Sequence, residues 1–142
     1  MTQIIRDMLE ISRCGVQYRS DYLAPMGLKS IHASYLTEIC ANPGISQDKL
    51  ARLICINKSN VARQVAVLEE DGFITRTPSA ADKRVIELYP TQKTLDLLPR
   101  LNEILMCWEN CITHDLTDGE KELISTLLRK MSHRATRYME DR

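Results

Sequence analysis

The chain has 142 residues, with 19 Lys and Arg against 19 Asp and Glu, so no overall charge draws it to a polyanion or a membrane surface. Hydrophobic residues at 44% and charged residues at 27% form an ordinary globular balance, which excludes a disordered chain. No run approaches the ~18–20 apolar residues needed to span a bilayer.

The N-terminal segment MTQIIRDMLEIS carries charges inside its apolar pattern and does not read as a signal peptide. Cys14, Cys40, Cys55, Cys107 and Cys111 are odd in number and form no disulfide framework, so a reducing cytoplasm is the expected location. Charge is distributed unevenly. Residues 45–93 hold eight basic and six acidic side chains, and residues 94–142 hold seven and nine, so the middle is the more positive part.

The elements follow from apolar spacing. Ile4, Met8, Ile11, Gly15, Tyr18 and Tyr22 recur at fours and threes, predicting an amphipathic helix that ends before Pro25. Leu28, Ile31, Tyr35, Leu36, Ile39 and Cys40 predict a second helix, starting at Leu28 and stopped by Asn42-Pro43-Gly44. Ser46 caps a short third helix through Leu50, Leu53 and Ile54. Asn57 caps a fourth, with Val61, Val65 and Leu68 inward and Gly72 just past its end. Residues 73–77 and 85–89 are β-rich and flank the loop PSAADKR, a hairpin. A long helix runs from Thr91 to about His114, with a kink or restart expected at Pro99. Thr117 and Glu120 have capping-box spacing and open a last helix.

This order is mainly α with a small β-hairpin wing: a winged helix-turn-helix over residues 28–90, flanked by helices at 1–27 and 91–142. Two short helices joined by a tight turn present the second as a probe for the major groove. With Val61, Val65 and Leu68 inward, Ser59, Asn60, Arg63 and Gln64 face out, and Lys58 lies near the helix start. Arg reads guanine edges, Asn and Gln read adenine, and Ser or Lys holds phosphate. The competing reading is an exposed helix face that is polar for solubility alone. In the loop, Arg84 is placed to enter a minor groove, Asp82 to orient it and Lys83 to meet phosphate. The competing reading there is a solvated turn.

The stretch Ile45 to Thr91 resembles the multiple-antibiotic-resistance regulator (MarR) family. The resemblance rests on Ser46-Gln47-x-x-Leu50-Ala51, Lys58-Ser59-x-Val61-x-Arg63, Leu68-Glu69-x-x-Gly72-Phe73-Ile74-x-Arg76 and Asp82-x-Arg84. It implies a homodimer joined through its terminal helices, binding a pseudo-palindromic operator on double-stranded DNA and usually repressing nearby genes. It implies the face carrying Ser59, Asn60 and Arg63 in the major groove and Arg84 in the minor groove with Asp82 orienting it; Gln47 and Arg76, within the matching motifs, are counted as further DNA-binding candidates. The chain departs from the family after the wing. Pro90-Thr91-Gln92-Lys93-Thr94 lacks the Leu and Gly of the usual Leu-Thr-x-x-Gly, so the long helix is expected to start differently.

Many members of that family bind a small lipophilic or phenolic effector. The candidates here are Tyr18, Tyr22, His32 and Tyr35, which read equally as core or interface residues. Cys14 does not fall where the resemblance would put a peroxide-sensing cysteine. Cys107, Cys111 and His114 share one helix face, open to a metal or redox role or to plain packing. No cofactor or metal site is expected, and no catalytic constellation is recognisable. The expected function is a dimeric, sequence-specific DNA-binding regulator released by an effector. The alternatives are a winged-helix module for protein partners and a cysteine-based redox- or metal-responsive regulator.

Overall fold

The computed structural model describes all 142 residues, which divide into two compact units, Met1–Leu105 and Met106–Arg142. The elements are α1 (Gln3–Leu23), α2 (His32–Ala41), β1 (Ile45–Ser46), α3 (Gln47–Leu53), α4 (Lys58–Glu70), β2 (Ile74–Pro78), β3 (Ile86–Pro90), α5 (Gln92–Ile112) and α6 (Asp118–Glu140). No helix is long and apolar enough to cross a membrane.

The core of the first unit is built from the inward positions of every element between α1 and α5. Leu36, Ile39, Leu50, Val61, Val65, Leu68, Phe73, Leu88 and Leu101 are essentially inaccessible to solvent. Each such side chain contributes roughly 1.5–3 kcal/mol by leaving water, which holds the short α2, α3 and α4 together although none is long enough to persist alone.

Helix ends are set by side chains and by left-handed residues. Ser46 and Asn57 cap α3 and α4 by accepting from Lys49 N–H and Asn60 N–H. Three helical segments close on the same pair of backbone hydrogen bonds, with a residue of positive φ just past the end: Gly27, Cys55 and Gly72. Thr117 and Glu120 form both halves of the expected capping box at the start of α6.

Three expectations need correction. The second helix begins at His32, not Leu28. Gly27 turns the chain left-handed, and Leu28 N–H closes back on the Leu23 carbonyl, so residues 28–31 form a turn that still buries Leu28. The wing has three strands instead of two, in the order β1-β3-β2, because Ile45 and Ser46 pair antiparallel with Leu88 and Glu87. Of the kink or restart expected at Pro99, the restart does not occur, since Pro99 sits inside one continuous α5. Phe73 carbonyl accepts from Thr91 N–H and from the hydroxyls of Thr91 and Thr94, which ties the wing root to the helix.

Candidate nucleic-acid interface

Helices α3 and α4 meet through Ile54–Asn57, where Cys55 adopts φ 55°. The Asn57 carboxamide oxygen accepts from Asn60 N–H at 2.8 Å and from the Ser59 hydroxyl at 2.9 Å. The cap of α4 therefore also fixes the direction of Ser59. Ser59 and Arg63 are exposed and Asn60 is half-buried. Arg63 has no hydrogen-bond or ion-pair partner in the chain, so its fork of donors is available to a ligand. Lys58 lies 3.6 Å from Asp48 in an exposed pair linking α4 to α3.

The wing tip is organised by one carboxylate. Asp82 accepts from Arg84 N–H at 3.0 Å, from its Nε at 3.1 Å and from its second guanidinium nitrogen at 3.1 Å. These bonds hold the Asp82 carboxyl below its ordinary pKa. The Arg84 side chain stays 91% exposed, so it projects from the tip instead of folding back. Lys83 is also exposed.

Arg76 is used differently. Its guanidinium and backbone N–H both bond the Glu69 carboxylate, at 2.9–3.1 Å, joining β2 to α4 and lowering the Glu69 pKa. Gln64 is half-buried and bonds His32 at 2.9 Å. Gln47 is half-buried, with its carboxamide oxygen closed off from solvent and unpartnered. The ten residues expected to meet DNA thus divide. Ser59, Arg63, Lys83 and Arg84 are exposed, as is Lys58 beside Asp48; Asn60 is half-buried, Asp82 is bonded to Arg84, and Gln64, Arg76 and Gln47 are engaged or turned toward the protein. Glu69, which fixes the wing against α4, was given no role by its sequence. Its opposite charge to Arg76, seven residues on, was the available signal.

The four effector candidates differ in their surroundings. Tyr18 donates to the Ile104 carbonyl at 2.9 Å and lies 4.6 Å from the exposed Tyr22 ring. His32 and Tyr35 are buried edge to face, and the Tyr35 hydroxyl has no partner. A separate groove of about 580 Å³ opens between Val16, Arg19, Ile31, Ser34, Thr37 and Leu105. All five cysteines are free thiols. Cys107 and Cys111 are exposed, not packed into the chain's core, and no group of three or more His, Cys, Asp or Glu converges as a metal site.

Residues 30–86 match the MarR family. An HTH-type transcriptional regulator of Bacillus subtilis, YybA, is 31% identical over 131 residues, covering 92% of this chain and 87% of the relative. The HTH-type transcriptional regulator BilQ of Clostridium symbiosum is 31% identical over 97 residues, 68% of this chain and 67% of its own. Among solved structures, the transcriptional regulator SlyA superposes with a TM-score of 0.93 at 27% identity, covering 98% of both chains. A MarR family regulator from Listeria monocytogenes, solved in complex with a 26mer DNA, superposes with a TM-score of 0.91 at 25% identity, covering 96% of this chain and 91% of its own.

Proposed function

The chain belongs to the MarR family of transcriptional regulators, and on that premise we propose that it works as a homodimer that binds a pseudo-palindromic operator and represses nearby genes. Helix α4 enters the major groove with Arg63 and Ser59, and the wing lays Arg84 into the adjacent minor groove. The observation that carries this reading is the Asp82–Arg84 arrangement. An exposed cation held in direction by its neighbour is costly to order for solubility alone and suited to a narrow groove. The protein is a regulator and not an enzyme, as its family membership implies.

Dimerisation is supported by apolar side chains left in water. On α1 these include Ile4, Met8 and Ile11, and on α6 Leu123, Ile124, Leu127 and Met131, each at least 42% exposed in the isolated chain. The groove beside Arg19 is the better place for an effector than the four aromatic candidates. Its apolar walls and single cation suit a lipophilic or phenolic anion. Free thiols suit a reducing cytoplasm. Selection of bound duplexes from a random pool tests the proposal. An inverted repeat with half-sites about one helical turn apart is expected, and an asymmetric or featureless pool contradicts it.

A further inference from the structure

His32 is the one buried histidine, and it ties the start of α2 to the middle of α4. Lys29 backbone N–H points at His32 Nδ1 at 3.0 Å. A backbone N–H only donates, so Nδ1 must be the unprotonated acceptor. The proton of the neutral ring then lies on Nε2, which donates to Gln64 at 2.9 Å. The Gln64 atom facing His32 is therefore its oxygen, and its N–H pair points away, with no partner in the chain. The amide orientation, ordinarily ambiguous, is dictated here by a backbone group 35 positions earlier in the sequence.

This changes what Gln64 can read. A glutamine recognises adenine by using its oxygen and nitrogen together, against N6 and N7. With the oxygen turned inward to His32, the N–H pair is the part of the amide left to meet a base. Its donors match the acceptor edges of guanine, O6 and N7, or O4 of thymine. Gln64 follows Arg63 on α4 and is half-buried, at the border between the core stripe of Val61, Val65 and Leu68 and the exposed face of the helix.

We propose that His32 is a positioning residue for DNA readout, which makes Gln64 a donor-only contact selecting guanine or thymine and rejecting adenine. The inference rests on the reading of α4 as the groove-entering helix. Lys29, Asp71 and Tyr35 surround the ring, and none of them replaces the Nε2–Gln64 link.

The test is duplex selection from a random pool with four proteins: wild type, Gln64→Glu, His32→Leu and His32→Gln. Gln64→Glu keeps an acceptor for His32 and exchanges the outward donors for an acceptor. It should move one selected position per half-site from guanine or thymine to cytosine, with roughly a five- to hundredfold loss on the wild-type duplex. His32→Leu should admit adenine at that position, and His32→Gln, which restores an N–H donor near Nε2, should exclude it again. Nitrogen-15 spectra of His32 in the wild-type protein provide a readout independent of whether a variant folds, and should show the proton on Nε2. A proton on Nδ1, or adenine selected at the position that Gln64→Glu alters, overturns the proposal. So does an unaltered base preference in Gln64→Glu when Arg63→Ala alters its own. If wild type selects no motif at all, the reading of α4 has failed, and the proposal falls with it.

Discussion

Asp82 accepts three hydrogen bonds from Arg84, one from its backbone and two from its guanidinium, yet leaves that side chain 91% exposed. The pair sits at the mouth of a hairpin whose strands are already in register through Thr75–Tyr89, Thr77–Glu87 and Pro78–Ile86. The turn does not need the ion pair to close, since Val85 N–H bonds Asp82 carbonyl and Ser79 N–H bonds Val85 carbonyl. The carboxylate directs the arginine.

Arg84→Ala should accordingly weaken operator binding while leaving the thermal midpoint nearly where it was, because an exposed pair stabilises little. The slope of log affinity against log salt should become shallower by about one unit if a phosphate counterion is released there. Asp82→Ala should give a milder loss, since the charge remains but its direction is freed. Titration of labelled operator at several salt concentrations, with melting curves alongside, checks all three.

Cys55 occupies a left-handed position that ends α3 through the hydrogen-bond pair that Gly72 uses to end α4. A non-glycine residue there carries about 1–2 kcal/mol of strain, and glycine regains some of it at an entropic cost of about 0.5–1 kcal/mol. Cys55→Gly should be neutral or stabilising by up to about 1 kcal/mol. Cys55→Val should destabilise by about 1–3 kcal/mol, since a β-branched side chain fits positive φ worst. Urea unfolding of the two variants separates them. A valine variant as stable as wild type contradicts the strain.

Burial holds the His32 pKa below its ordinary value of 6.5, against the raising effect of the Gln64 bond. The folded state therefore prefers the neutral ring, and the unfolded chain takes up its proton first as pH falls. Stability from this group is complete above pH 6.5, is lost as pH falls from there to the folded-state pKa, and is constant below it. Asp82 and Glu69 also titrate low, so their losses come in more acid solution. Urea midpoints measured from pH 7 downward should decline first in the His32 window in wild type but not in His32→Gln.

The apolar face of α6 predicts a dimer that one charge can break. Leu127→Glu should convert a dimer to a monomer, or to a partly unfolded chain, in sedimentation at micromolar concentration. Wild type sedimenting as a monomer under those conditions contradicts the homodimer.

Much of this architecture was legible because its signals are local. Asn57, Gly72 and the Thr117–Glu120 box act within four residues of themselves, and the Val61–Val65–Leu68 spacing carries its own direction. What was not legible depends on distant partners. Ile45 and Ser46 become a strand only because Leu88 and Glu87 lie beside them. The Leu28–Ile31 segment has helical spacing, but Gly27 delays the helix to His32. At the interface, the outward direction of Arg63 followed from periodicity. The commitment of Gln64 to His32, 32 residues away, is tertiary, and no pattern within α4 encodes it, whereas the Arg76–Glu69 pair had only its opposite charges at a spacing of seven to signal it.

The central claim, that α4 and the wing together read DNA, is tested most directly by the ratio of affinities for a selected operator and a random duplex. It should be measured by fluorescence anisotropy for wild type, Arg63→Ala, Arg84→Ala and the double variant. Arg63→Ala should lower the ratio by a factor corresponding to about 1–3 kcal/mol, the worth of a bidentate base contact. Arg84→Ala should lower operator affinity most on operators with A·T-rich flanks, and the double variant should bind both duplexes alike. A double variant that keeps the wild-type ratio, while melting at the wild-type temperature, would contradict the account.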